Sequence, residues 1–230
     1  PGLVVPLLRR RVLKEMDGVI LPAGRRERER HARRRRAAGM RLNVNVLGEA
    51  VLGEEEAERR MAQVAEVLSR PAVDYVSVKI SSICSQLDVL AFDDEVERIA
   101  GRLRHLYRAA AGHRPARFVN LDMEEYRDLA LTVAVFEKVL DEPEFRGVDA
   151  GIVLQAYLPD SRAALQDLCA WAARRRSAGG GTVKVRIVKG ANLAMETVEA
   201  ELRGWVGAPF ATTAETDPNY KRMVQAGVHP

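Results

Sequence analysis

From residue 42 onward, short β-branched runs alternate with longer stretches in which apolar side chains recur every three or four positions, the periods of strand and helix. Five strands are predicted: Leu42 to Leu47, Tyr75 to Ile80, Phe118 to Asp122, Gly151 to Tyr157 and Val183 to Val188. Each has the length of a buried parallel strand. The first helix between them carries Ala57, Met61, Val64, Ala65 and Leu68 on one face, and the second Val96, Ile99, Ala100, Leu103 and Leu106. The third presents Tyr126, Leu129, Ala130, Val133, Phe136 and Leu140, with Glu124 and Glu125 opening it. A fourth spans Ala163 to Arg176 and ends at Gly179-Gly180-Gly181, and a fifth begins after Asn192 and stops before Gly204. Thr216, Asp217 and Pro218 then read as a helix start, a cap side chain just before a proline at the first helical position.

Strand and helix repeated five times without hairpin turns predict an α/β protein with a parallel sheet. An open doubly wound sheet gathers its ligand at one switch point, whereas an eight-stranded barrel builds its site from many strand ends. Polar residues mark the carboxyl ends of all five strands: Glu49, then Lys79, Asp122, Gln155 with Tyr157, and Arg186 with Lys189. The expected fold is therefore a (β/α)8 TIM barrel, represented here by about its first five β/α units. Roughly three further units are expected beyond Pro230, from the usual size of ~250 residues per barrel.

Composition sharpens this picture at one end. With 47% hydrophobic residues in 230, the chain can bury a sizeable core, which excludes disorder as its main state. Residues 1–41 hold 13 basic and four acidic side chains, leaving 23 against 28 for the remainder, so the positive charge belongs to the head. Eight arginines fall within the twelve positions from Arg25 to Arg36, a pattern expected of a solvated helix. That run lacks the interleaved aromatic residues that base stacking uses, and the acidic remainder has no charge-based claim on nucleic acid, so no nucleic-acid partner is expected. The expected organisation is a basic helical segment over 1–41 and a barrel domain over 42–230.

Cys84 and Cys169 lie in apolar or small-residue surroundings with no CxxC, which fits a reduced, cytoplasmic setting. No stretch reaches the ~18 apolar residues that span a bilayer. The apolar start is followed rather than preceded by Arg9, Arg10 and Arg11, the wrong order for a secretory signal.

Three segments offer chemistry. In TVKVRIVKGANLAME, Arg186 shares a strand face with Lys184 and Val188, and a guanidinium there needs an anion: a carboxylate such as Asp122, or a ligand. Gly190 allows close approach of backbone or ligand, but the spacing is not that of a phosphate loop. In NLDMEE, negative charge on Glu124 and Glu125 suits a helix amino end, and Asp122 is expected at the barrel mouth beside Lys79 and Arg186. The other strand ends offer Lys, Gln and Arg, so no metal site is expected. In YVSVKISS, Lys79 suits either an anion-holding role or a Schiff base, as in a barrel aldolase, and spacing does not separate the two.

Six motifs in order, LNVNVLGEAVLGEEEA, DYVSVKISS, FVNLDMEEYRDLALT, GIVLQAYLPD, VKVRIVKGANLAME and ETDPNYKRMV, resemble the proline dehydrogenase family, most closely the flavin-dependent half of bifunctional proline-utilisation A proteins of actinobacterial type. The similarity covers residues 42 to 226. It implies a distorted barrel that binds FAD and oxidises L-proline to Δ1-pyrroline-5-carboxylate, the first step of proline catabolism to glutamate, with hydride passing to flavin N5 and electrons to a membrane quinone. It further implies a cytoplasmic protein that reaches the inner membrane face and a downstream aldehyde dehydrogenase domain in the full chain. Matched motif by motif, the resemblance places Lys79 at the proline carboxylate, Asp122 in support of the flavin edge and nearby cations, and Arg186 next to flavin N5. Gln155, Ala156 and Tyr157 are implied at the flavin, with Val188, Lys189, Gly190 and Ala191 lining the cofactor. Thr212 matches a cofactor-binding threonine, and Thr213 stands where many members have a lysine. The paired arginines and glutamate that clamp the proline carboxylate are expected beyond Pro230.

Overall fold

The computed structural model describes residues 4–16, 24–46 and 50–228. Contacts divide the chain into two units, Pro1–Leu42 and Asn43–Pro230. The first contains helices α1 (Val4–Glu15) and α2 (Arg25–Ala37). Along α1 the apolar Val4, Val5, Leu7, Leu8, Val12 and Leu13 are all exposed, and Arg11 pairs with Glu15 one turn away at 3.0 Å.

The second unit alternates strand and helix: β1 (Val44–Asn45), α3 (Glu54–Ser69), β2 (Tyr75–Lys79), α4 (Ile80–Ile83), α5 (Phe92–Ala111), β3 (Phe118–Asp122), α6 (Leu129–Asp141), β4 (Ala150–Gln155), α7 (Ser161–Ser177), β5 (Val183–Val188), α8 (Leu193–Arg203) and α9 (Thr213–Val228). The sheet is parallel throughout, and its spatial order is its chain order, β1-β2-β3-β4-β5. A doubly wound sheet reverses direction at a switch point; a barrel adds each strand beside its predecessor. The five strands are thus part of a (β/α) barrel.

Alternation along the strands produces two unlike faces. Val76 and Val78 of β2, Val119 and Leu121 of β3, and Ile152 and Leu154 of β4 are all at most 3% exposed, and they form one apolar core with Leu68, Ile99, Leu103, Val135, Phe136 and Leu168 from the helices. The other face carries Asn45, Ser77, Lys79, Asn120, Asp122, Gln155 and Arg186. At its amino-terminal edge Tyr75 meets Phe118 edge to face with ring centroids 5.0 Å apart, and the Lys184 ammonium lies 4.9 Å above the Tyr75 ring.

Two expectations need correcting. β1 is two residues, Val44–Asn45, shorter than the predicted Leu42 to Leu47, of which Leu47 lies outside the described residues, as does Glu49. The last helix begins at Thr213, not at Pro218, which sits inside it. A capping box decides the start: Thr212 Oγ1 and its backbone N–H both reach Glu215 Oε2 at 2.8 and 3.0 Å, and Glu215 N–H donates back to Thr212 Oγ1 at 3.3 Å. That reciprocal pair satisfies the helix end a turn earlier than the proline signal would.

Gly151 is required by packing. A Cβ there would stand 2.5 Å from Asn120 Oδ1 and 2.9 Å from the Phe118 ring, both on the neighbouring strand. Gly151→Ala is expected to cost roughly 1–3 kcal/mol by overpacking, read as a lower urea midpoint at unchanged slope; a midpoint equal to that of the parent protein contradicts this packing.

Candidate functional site

Asp122 ends β3 with its side chain almost wholly buried, and a carboxylate in that position must be supplied with donors. It has three. Arg186 Nη2 on β5 reaches Oδ1 at 2.7 Å, Asn120 Nδ2 donates to the same oxygen at 2.8 Å, and Asn45 Nδ2 of β1 donates to Oδ2 at 3.2 Å. Ser77 extends the lattice, its hydroxyl accepting from Asn43 at 2.8 Å and from Asn120 at 3.3 Å. Burial pushes the Asp122 carboxyl above the usual value, against the opposing pull of Arg186, of hydrogen bonds from the lattice and of the Lys79 charge. The anion that Arg186 requires is therefore Asp122. Its guanidinium is fixed at one end by that bond, while the buried Nε–H lacks an acceptor among the described residues.

Lys79 lies opposite Asp122 in the β2–β3 register, yet its ammonium goes to Glu124 Oε1 at 2.6 Å. Glu124 is not part of a helix, since α6 starts only at Leu129 after a 3-10 turn over Tyr126–Asp128. The segment instead crosses the strand ends. The Glu124 carbonyl accepts from Gln155 Nε2 of β4 at 3.0 Å and from Asn192 Nδ2, the residue before α8, at 3.1 Å. Glu125 pairs with Arg127 at 2.6 Å. The expectation that both glutamates serve only a helix start is thereby corrected.

Beyond Gln155 the β4–β5 ladder continues, with Ala156 N–H donating to Val188 O at 2.8 Å and Tyr157 N–H to Lys189 O at 2.7 Å. Gly190 has φ +131°, and a Cβ there would fall 2.3 Å from the buried Tyr157 ring, so only glycine lets the chain lie on that ring. Ala191 is exposed. Lys189 Nζ pairs with Asp217 of α9 at 2.7 Å, and Asn219 Nδ2 donates to Ala156 O at 2.8 Å, so α9 is tied to the ends of β4 and β5. Thr212, exposed, is the cap of α9.

Lys79, Asp122, Gln155 and Arg186 thus stand at the carboxyl ends of adjoining strands, with Tyr157, Val188, Lys189 and Gly190 continuing from β4 and β5. Sequence reasoning missed Glu124, Asn43, Asn45, Ser77, Asn120 and Asn219. The signal for four of these was present: polar residues at alternate positions of β-branched strands mark a polar sheet face.

Next to this mouth lies a cleft of about 430 Å³ lined by Glu124, Glu125, Arg127, Asn192, Met195 and Glu196, among others. Glu196 accepts the Tyr126 N–H at 2.6 Å, and burial raises its carboxyl. Asp128 is buried nearby with its closest cation, Arg127 Nε, 3.9 Å away, and burial aided by Glu125 pushes it up to about 7.

A parallel sheet in sequential order whose strand ends carry fixed cations, amides and a buried carboxylate defines a (β/α)-barrel ligand site of the kind built at the carboxyl face. The chain belongs to the proline dehydrogenase family, whose family model, described as Proline dehydrogenase, matches residues 28–229. It is similar to the solved structure of Proline Utilization A (PutA) from Corynebacterium freiburgense, with 51% identity and a TM-score of 0.86 over 90% of this chain and 22% of that one. PutA from Bdellovibrio bacteriovorus, solved after inactivation by N-propargylglycine, is 33% identical with a TM-score of 0.76, over 85% of this chain and 22% of that one. The Bifunctional protein PutA of Escherichia coli strain K12 is 28% identical over 202 residues, 83% of this chain and 15% of the relative. The chain therefore spans about a fifth or less of the relatives it matches. No described helix is long and apolar enough to cross a membrane.

The burial of Asp128 gives a pH prediction. Its folded value of about 7 exceeds the ordinary aspartate value of 3.8, so the folded state holds the proton more tightly and stability from this group is lost as pH rises through about 7. Asp128→Asn is expected to raise the unfolding temperature at about pH 8 and to leave it nearly unchanged at about pH 3, below both values. An equal gain at both pH values contradicts a buried, proton-binding Asp128.

Proposed function

We propose that this chain supplies the flavin-facing strand ends of an FAD-dependent proline dehydrogenase, with residues 42–230 as its barrel and the basic segment 1–41 as a separate element. The observation that carries the reading is Arg186, fixed through Nη2 by Asp122 and left with a buried Nε–H that has no acceptor among the described residues. An electron-rich ring placed there completes it, and the donor set at the strand ends fits such a group. Held by Gln155, Tyr157, Arg186 and the Val188–Ala191 segment, FAD would supply a two-electron acceptor for oxidation of L-proline, at the ring carbon next to nitrogen, to Δ1-pyrroline-5-carboxylate, with quinone as the onward acceptor.

The remaining roles belong to side chains of this chain. Arg186 places fixed positive charge where negative charge develops, at no reorganisation cost because Asp122 already holds it. Asp122 keeps that guanidinium in place. Lys79 holds the substrate carboxylate and so orients the ring carbon, an entropic contribution of several kcal/mol in well-oriented systems, up to about 7–11. Gln155 and Tyr157, with Val188, Lys189, Gly190 and Ala191, would line the cofactor, and Thr212 would be a further residue that binds it. Pairing with Glu124 presents Lys79 as a charged anion holder, which disfavours the Schiff-base aldolase reading. The full-length protein acts in the cytoplasm against the inner membrane face, where the quinone lies, and hands its product to a fused aldehyde dehydrogenase.

The test is an absorption spectrum of the full-length protein before and after L-proline under anaerobic conditions. Proline is expected to bleach a bound flavin, and Arg186→Gln to slow bleaching by roughly 100- to 1000-fold, the cost of losing one aimed donor. A colourless protein whose Lys79 is trapped by borohydride and a carbonyl substrate would overturn the assignment in favour of the aldolase.

A further inference from the structure

The mouth is charge-balanced before any ligand arrives. Its cations Lys79, Arg186 and Lys189 are each matched by a carboxylate, Glu124, Asp122 and Asp217 in turn. The second pair serves Arg186 through a buried lattice. The first has no such backing: Glu124 Oε1 is 2.6 Å from the ammonium, and its buried Oε2 accepts no hydrogen bond among the described residues. The side chains of Lys79 and Glu124 are only 25% and 21% exposed, so solvent screens the pair incompletely.

We infer that Glu124 is a positioning residue for the substrate carboxylate, an internal anion that holds the Lys79 ammonium in place and competes with the incoming one. This rests on the reading of Lys79 as the carboxylate holder. An ammonium has three N–H donors, of which Glu124 takes one. A bound carboxylate takes the others, at the cost of bringing a second negative charge beside Glu124. Glu124 thus lowers carboxylate affinity while fixing where the carboxylate binds. Its backbone links to Gln155 and Asn192 run through the carbonyl, so a side-chain substitution leaves them in place.

The test compares binding of cyclopentanecarboxylate with neutral cyclopentanecarboxamide to the full-length, flavin-loaded protein by calorimetry, with proline steady-state kinetics alongside. Glu124→Gln is expected to tighten the carboxylate about five- to twentyfold and leave the carboxamide unchanged, with a lower KM for proline and, as the ammonium is less firmly placed, a lower kcat. Glu124→Asp keeps the charge but withdraws it from the ammonium, and is expected to fall between parent and Glu124→Gln; it serves if Glu124→Gln does not fold. Lys79→Met is expected to abolish the preference for carboxylate over carboxamide. If Lys79→Met loses the preference while neither Glu124 variant tightens the carboxylate, the inference about Glu124 fails alone. If Lys79→Met retains the preference, Lys79 does not hold the carboxylate and both readings fall.

Discussion

A carboxylate buried at the end of a central strand dictates the arrangement around it. Asp122 is costly to place there unless donors converge, and they come from strands on either side of β3 as well as from β3 itself: Asn45 on β1, Asn120 on its own strand and Arg186 on β5. Removing any one donor leaves the charge less compensated, so the lattice acts as a unit. The functional consequence is stiffness. A guanidinium on an unpaired strand end would sample many rotamers, whereas Arg186 is bonded at one nitrogen and presents the rest of its edge in a fixed direction.

The division of labour between the two sheet faces makes this affordable. The outward face is aliphatic and packs into the helices as one continuous core, with Val76, Leu121 and Ile152 almost fully buried. Stability is thus supplied on one side while polar chemistry is held on the other. Connections across the strand ends belong to the polar side as well. Glu124 joins β2, β4 and the start of α8, and Asp217 and Asn219 anchor α9 to β5 and β4. These links set the mouth by contacts between neighbouring elements rather than by any single loop.

Much of this was legible in the sequence, for physical reasons. Strands β3 and β5 and helix α8 fall where the periodicity puts them, because alternate apolar side chains of each strand pack toward the helices and Gly204 ends α8 in the left-handed conformation with φ +66°. The polar strand ends were readable because β-branched runs leave Lys79, Asp122, Gln155 and Arg186 conspicuous. Partner choice was not. Whether Lys79 meets Asp122 or Glu124 depends on how the chain turns after β3, and Glu124 looks like any acidic residue ahead of a helix until that turn is seen. The start of α9 was misplaced because a proline and a capping box compete as signals a few residues apart, and only packing shows that the helix accommodates Pro218.

Whether Asp122 and Arg186 act as the one preorganised unit proposed for a bound flavin is decided by a double-mutant cycle on FAD affinity. Asp122→Asn, Arg186→Gln and the double variant of the full-length protein would each be titrated with FAD. Each single change is expected to weaken binding, and the double variant to be little worse than Arg186→Gln alone, a coupling on the order of 1–3 kcal/mol. Additive losses, or FAD affinity unchanged by either substitution, would contradict it.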